Sequence, residues 1–141
     1  MHAYKQLLPR IYSAAKAKRH EALKKYLKGR YYPLDVIEIE NLLTPDVIKK
    51  ILEHYEGDSQ NINDFQYADY KDQRLGEFLE KKVIRGTKRR KGSYKEDSGT
   101  IAGKVDFCDR AIDEIKSFAD LSDEAKSLAE KLYKFIESNN A

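Results

Sequence analysis

Arg30-Tyr-Tyr-Pro-Leu-Asp-Val-Ile-Glu38-Ile-Glu-Asn-Leu-Leu-Thr44-Pro-Asp46 is the stretch on which the fold turns. Its first eight residues are rich in aromatic and β-branched side chains, which favour a strand. Pro33 donates no ladder hydrogen bond, so it belongs at the strand start or on an edge. Thr44 and Pro45 then open a helix, with threonine as N-cap and proline at the first helical position. Val47, Ile48, Ile51, Leu52 and Tyr55 supply its apolar face, and Gly57 closes it. Side chains two apart on a strand share a face, so Glu38 and Glu40 project together at the strand's end. Two carboxylates there form a candidate site for a hard cation, Mg²⁺ or Mn²⁺. The bland alternative is a pair of solvated glutamates before a helix, a common arrangement in an acidic segment.

Upstream, Leu7, Leu8, Ile11, Ala15, Leu23, Tyr26 and Leu27 form a rough helical stripe from about Arg10 to Lys28, with Gly29 as its stop. Downstream, residues 58–72 read as a polar loop anchored by Phe65, Tyr67 and Tyr70. A shorter helix, about Gln73–Ile84, carries Leu75, Phe78, Leu79 and Val83. Residues 85–100 hold three glycines and no periodicity, and read as a mobile basic loop. A helix from about Ala102 to Ser117 follows, with Val105, Cys108, Ala111, Ile112 and Ile115 inward. Asp120 or Ser122 caps the last helix, whose face is Ala125, Leu128, Ala129, Leu132, Phe135 and Ile136.

The expected fold is therefore a mostly helical α+β single domain over residues 1–141, with about five helices and one or two short strands. A lone strand would leave backbone groups unpaired on both edges, at a cost of about 1–3 kcal/mol for each one buried. A second strand within 58–72 or 93–101, or one from another chain, would satisfy them.

Composition narrows the function. The 141 residues carry 27 Lys+Arg, 24 Asp+Glu and a net charge of +3, but the charges come in blocks. Residues 1–30 hold nine basic residues and one acid, and residues 31–80 hold four and twelve. Residues 81–95 hold eight basic residues and no acid, and residues 96–141 hold six against eleven. No apolar run approaches the ~18–20 residues of a membrane span. The N-terminus lacks the apolar region of a secretory signal, so a cytoplasmic protein without a membrane partner is expected. A single cysteine, Cys108, excludes an intrachain disulfide framework and a cysteine-based zinc site. His2, His20 and His54 are too dispersed for a ligand set.

Lys88-Arg89-Arg90-Lys91, with Lys81, Lys82 and Arg85, makes a compact cationic patch suited to the phosphates of DNA or RNA. A solvated loop that balances the acidic block before it explains the run equally well. Gly99-Thr-Ile-Ala-Gly-Lys104 looks like the end of a phosphate loop, but it lacks the full spacing. Val105 stands where the metal-binding hydroxyl should be, so a nucleotide-binding loop is excluded. Lys104 at a helix start is still placed to meet an anion.

These phrases together resemble a family. The order runs from Leu8-Pro-Arg-Ile-Tyr12 and Arg19-His-Glu-Ala-Leu23 to Glu38-Ile-Glu-Asn-Leu-Leu-Thr-Pro-Asp-Val-Ile48. Ser98-Gly-Thr-Ile-Ala-Gly-Lys-Val-Asp-Phe-Cys108 and Leu121-Ser-Asp-Glu-Ala125 follow. The order resembles the C-terminal half of the TOPRIM-like nuclease region in OLD-type AAA ATPases of bacterial defence systems, over residues 8–137. The resemblance implies a partial TOPRIM-like fold with Glu40, and Glu38 beside it, as ligands of a divalent metal. It implies a catalytic role for Lys104, supporting the scissile phosphate. It also implies a partner, either an ATPase or a chain carrying the N-terminal TOPRIM half, because no Asp-x-Asp pair occurs in this sequence. The expected function is a metal-dependent nucleic-acid-processing module, incomplete alone. The alternative is a non-enzymatic nucleic-acid-binding or protein-interaction module using the two basic blocks. If one phosphate touches both metal and lysine, Lys104 and Glu40 must lie within roughly 10 Å of each other.

Overall fold

The computed structural model describes residues 14–86 and 89–140. They fall into two compact units, Met1–Ile37 and Glu38–Ala141. In the first, α1 (Ala14–Leu27) carries five cations and one acid and buries none of its residues. Leu23 and Tyr26, expected on an apolar stripe, are both exposed. Lys24 and Lys25 lie in the last turn, where a cation meets the negative end of the helix dipole. A 3₁₀ turn, Lys28–Arg30, follows, and the Tyr31 hydroxyl is hydrogen-bonded to His20 Nδ1.

The second unit holds the core. A 3₁₀ turn, Ile39–Leu42, leads into α2 (Pro45–Glu56). The Thr44 hydroxyl accepts the Val47 N–H at 3.3 Å, and Gly57 ends the helix at φ 86°, in the left-handed region that favours glycine. One turn of helix, α3 (Tyr67–Tyr70), precedes α4 (Leu75–Phe78), which runs on as a π-helix through Val83. Then come α5 (Lys104–Glu114), a 3₁₀ turn Phe118–Asp120, and α6 (Asp123–Asn139). Val47, Ile48, Ile51 and Leu52 of α2 pack with Phe65, Tyr70, Leu75, Leu79, Val83, Tyr94, Ile101, Phe107 and Ala111 in one core. Counting Leu75–Val83 as one, about five helices of seven or more residues are present among the described residues.

No strand occurs among the described residues; only isolated bridges join Leu43 to Leu121, Ile62 to Ile84 and Lys95 to Ile101. The strand expected over 30–37 is replaced by the Lys28–Arg30 turn, irregular chain and bends. Among the described residues no neighbouring strand pairs with it. At Glu38 the backbone N–H donates to Asn41 Oδ1 at 3.0 Å, which winds the chain into the 3₁₀ turn. Glu38 and Glu40 therefore do not share a strand face.

One helix, α5, buries a face other than the expected one, and α6 leaves the far half of its expected face exposed. On α5 the buried residues are Phe107 and Ala111, whereas Val105 and Ile112 are 79% and 68% exposed. Two apolar stripes compete on that helix, and the one containing the large Phe107 ring is buried. On α6 nothing is buried.

Residues 89–103, within and beyond the expected mobile loop, are tied down. Tyr94 is fully buried, and the chain turns back through Ala102 N–H to Tyr94 O and Glu96 N–H to Thr100 O, both at 2.9 Å. This turn lies so close on α4 that a Cβ at Gly76 would meet Tyr94 O at 2.6 Å and Thr100 O at 2.5 Å. Glycine is therefore required there for contact, despite its cost in a helix.

Candidate functional site

The Glu38–Asn41 turn and the start of α5 meet in a buried polar cluster. Lys104 Nζ lies 3.2 Å from Glu38 Oε2 and 3.5 Å from Glu40 Oε2. Both carboxylates are 3% exposed, while the lysine side chain is 46% exposed. The contact spans 64 residues of sequence.

The two glutamates differ in what else they hold. Glu38 Oε1 accepts the N–H of Leu75 at 2.8 Å, and Oε2 accepts that of Ile101 at 3.1 Å. One carboxylate thus ties together the start of α4, the turn before α5 and Lys104. Charge-assisted bonds of this kind are about twice as strong as neutral ones. Glu40 receives no backbone donor in this cluster. Its Oε1 faces the Cys108 thiol at 3.6 Å, a weak donor. Burial, with the Glu40 carboxylate beside it, pushes the Cys108 thiol up, away from the reactive thiolate. Burial pulls Lys104 down, but the two carboxylates outweigh it and hold the ammonium above its ordinary value.

Asn41 was absent from the sequence-based candidates and is central here. It is fully buried, and its Nδ2 donates to Tyr70 O at 2.7 Å and Gln73 O at 2.8 Å. The spacing Glu-x-x-Asn, a carboxylate followed three residues later by an amide, was its signal, since it is the pattern of a side chain reaching back to cap a turn.

A divalent metal takes about six oxygen ligands. Both oxygens of Glu38 are occupied by N–H donors, and the Lys104 ammonium sits against both carboxylates. Among the described residues no group of three or more His, Cys, Asp or Glu side chains is arranged to hold a metal ion.

The basic run is built differently from a free cationic loop. Lys88 lies outside the described residues. Arg89 reaches Glu80, Nη1 to Oε1 at 3.4 Å. The Arg90 N–H donates to Glu56 Oε2 at 3.0 Å, and its guanidinium lies against Gly57. Lys91 Nζ stands 4.2 Å from the centre of the Tyr55 ring, 5.7 Å from that of Tyr94, and donates to Ala102 O at 3.3 Å. Burial pulls the Lys91 ammonium down. Burial and the Asp106 carboxylate push the Tyr55 hydroxyl up to about 12. Arg89 and Lys91 thus fasten the segment to the core.

No family profile, curated protein or solved structure matches this chain. No helix among the described residues is long and apolar enough to cross a membrane.

Proposed function

We propose that the chain is a nucleic-acid-processing module of the TOPRIM-like nuclease kind, incomplete alone and completed by a partner chain. One observation supports this reading: Lys104 and Glu40, the two positions the resemblance singles out, stand 3.5 Å apart across 64 residues. In this reading Glu38 is a positioning residue. It fixes the start of α5 and aims the Lys104 ammonium, which stays charged at neutral pH. Glu40 is the carboxylate whose oxygens are least committed. Two carboxylates and one ammonium carry a formal charge of −1, which repels a phosphodiester until further positive charge joins them. The chain's own residues prepare a lysine and a carboxylate; the remaining acidic ligands come from elsewhere. The test mixes the purified chain with the product of the neighbouring reading frame and a labelled DNA or RNA. Mn²⁺-dependent cleavage lost in both Lys104→Ala and Glu40→Gln supports the reading. Cleavage indifferent to both, or cleavage by this chain alone, overturns it.

A second reading, a non-enzymatic nucleic-acid-binding module, is favoured by α1, whose Lys16, Lys18, Arg19, Lys24 and Lys25 ride on a helix with no buried face. Counterion release makes such binding fall steeply with salt. Replacing Lys18, Arg19 and Lys25 by alanine should flatten the salt slope by about three, measured by anisotropy of a labelled oligonucleotide. Arg90→Ala should change it little. An unchanged slope in the α1 variant removes this reading.

A further inference from the structure

α5 turns Phe107 and Ala111 into the core, and it leaves Val105 and Ile112 79% and 68% exposed. At 3.6 residues per turn these two lie on one line along the outer side of the helix, with the half-buried Cys108 beside it. Steps of three and four residues are the seam spacing of two helices packed side by side. The near end of the line adjoins the polar cluster, since Lys104 precedes Val105 and Cys108 faces Glu40 at 3.6 Å. Along one flank run Asp109 and Asp113, four residues apart and both exposed. Two other acids of α5 are engaged, Asp106 by Arg110 at 2.9 Å and Glu114 by Lys50 at 3.9 Å. Among the described residues neither Asp109 nor Asp113 is in a salt bridge or a side-chain hydrogen bond. The lysine and arginine that share a cleft with Asp113 are Lys50 and Arg110, the two already engaged.

We propose that the outer face of α5 docks a helix of another protein, one whose apolar stripe is flanked by lysine or arginine. Charge decides among the occupants. A second copy packed α5 on α5 supplies no free cation. Antiparallel, it sets the same two aspartates on the same side of the seam. Parallel, it turns them towards the Cys108 side, whose lysine, Lys104, is already held by Glu38 and Glu40. The phosphates of a nucleic acid or of an anionic membrane meet the same two carboxylates and are repelled. A cationic amphipathic helix satisfies both rows at once. Its apolar residues cover Val105 and Ile112, and its cations, four apart, reach Asp109 and Asp113. Pairs at the rim of a contact choose the partner and speed its approach more than they tighten it. The small apolar line between them therefore makes a weak, reversible complex. The proposal holds whether or not Lys104 and Glu40 act on nucleic acid.

The probe is a fluorescein-labelled peptide of about 18 residues, leucine and lysine in helical period, with a leucine–glutamate peptide as its counterpart. Anisotropy with the full chain at up to about 500 μM should show the lysine peptide binding at least about tenfold more tightly than the glutamate peptide. Val105→Ser combined with Ile112→Ser should weaken it at least about tenfold. Both side chains are exposed, so the far-ultraviolet circular dichroism should not change. Asp109→Lys combined with Asp113→Lys should reverse the preference, so that the glutamate peptide binds the more tightly. Cys108 is the only cysteine of the chain, and saturating lysine peptide should slow its alkylation by iodoacetamide severalfold. No binding of the lysine peptide overturns the proposal. So does binding that the serine pair or the aspartate reversal leaves unchanged, which would be attraction to acids elsewhere. Alkylation that the bound peptide does not slow also overturns it, by placing the peptide on another face.

Discussion

α2 and α6 look alike in sequence and end up in opposite surroundings. Each opens on a hydroxyl cap, Thr44 or Ser122, and each carries one apolar stripe. Yet Val47, Ile48, Ile51 and Leu52 are at most 2% exposed, while α6 buries no residue. Periodicity establishes that a helix has a face to cover; it does not say what covers it. α2 meets α5 and the aromatic cluster of Phe65, Tyr70 and Phe78, whose ring centres lie 5.6 to 5.9 Å apart. The far half of α6, from Lys131 on, is exposed throughout.

The contrast is broken most directly in the core. Leu52→Ala in α2 should cost about 4 kcal/mol, because a fully buried leucine leaves a cavity that the tight core collapses into only partly. Urea unfolding followed by circular dichroism measures it. A cost below about 1 kcal/mol would mean that α2 is as loosely held as α6.

Next comes the polar cluster, which joins the start of α2 to the rest of its unit. Glu38→Ala strands the N–H groups of Leu75 and Ile101 and leaves Lys104 with a single carboxylate. The expected loss is about 3 kcal/mol. Glu38→Gln keeps an acceptor and should lose less. The ion pair also has a pH signature. The folded-state pKa of Lys104 is raised above 10.5, so its stabilising contribution is present at neutral pH. That contribution fades as the pH rises through the folded value. Stability of Glu38→Gln should therefore decline less steeply than that of the parent above about pH 10.5.

These two cases show what was legible. The Thr44-Pro45 start and the Gly57 stop are local signals, and each sets a helix end where the sequence places it; for the last helix the sequence offers Asp120 or Ser122, and Ser122 is the cap. The approach of Lys104 to Glu40 followed from the resemblance alone, since nothing in the local pattern joins residues 64 apart. The strand over 30–37 was misread because β propensity describes fit to a sheet, and no sheet is present among the described residues. On α5 Ala111 and Ile115 lie inward as expected, but Val105 and Ile112 are exposed and Phe107 is buried, because Val105-Cys108-Ile112 and Phe107-Ala111-Ile115 are both helical stripes and only the tertiary neighbours choose between them. The roles of Arg89 and Lys91 were hidden for the same reason. Their partners, Glu80 and Tyr55, lie in other elements, and net charge gives no hint of a cation held over a ring.

A finer comparison lies in the two caps. Thr44 accepts the Val47 N–H at 3.3 Å, and Ser122 accepts the Ala125 N–H at 3.2 Å. Thr44→Ala should cost about 1 kcal/mol of global stability, since α2 unfolds only with the core. Ser122→Ala removes an equivalent bond from a helix whose far half has no packing of its own. Its global cost should be about half as large or less, with the rest appearing as faster amide exchange in α6. Equal global costs would show that α6 is cooperative with the core.

The smallest expected effect is the most discriminating. Leu132→Ala deletes the same atoms as Leu52→Ala, but from a side chain that is already 55% exposed. In a dilute monomer little apolar area returns to water and no cavity forms, so the change should stay within about 0.5 kcal/mol. Alanine is also the best helix former, which offsets part of even that. The measurement is urea unfolding at low micromolar concentration. A penalty within that range means that the face of α6 is solvated. A penalty that is large even in dilute solution would mean that Leu132 packs inside its own chain, and the contrast between α2 and α6 would collapse.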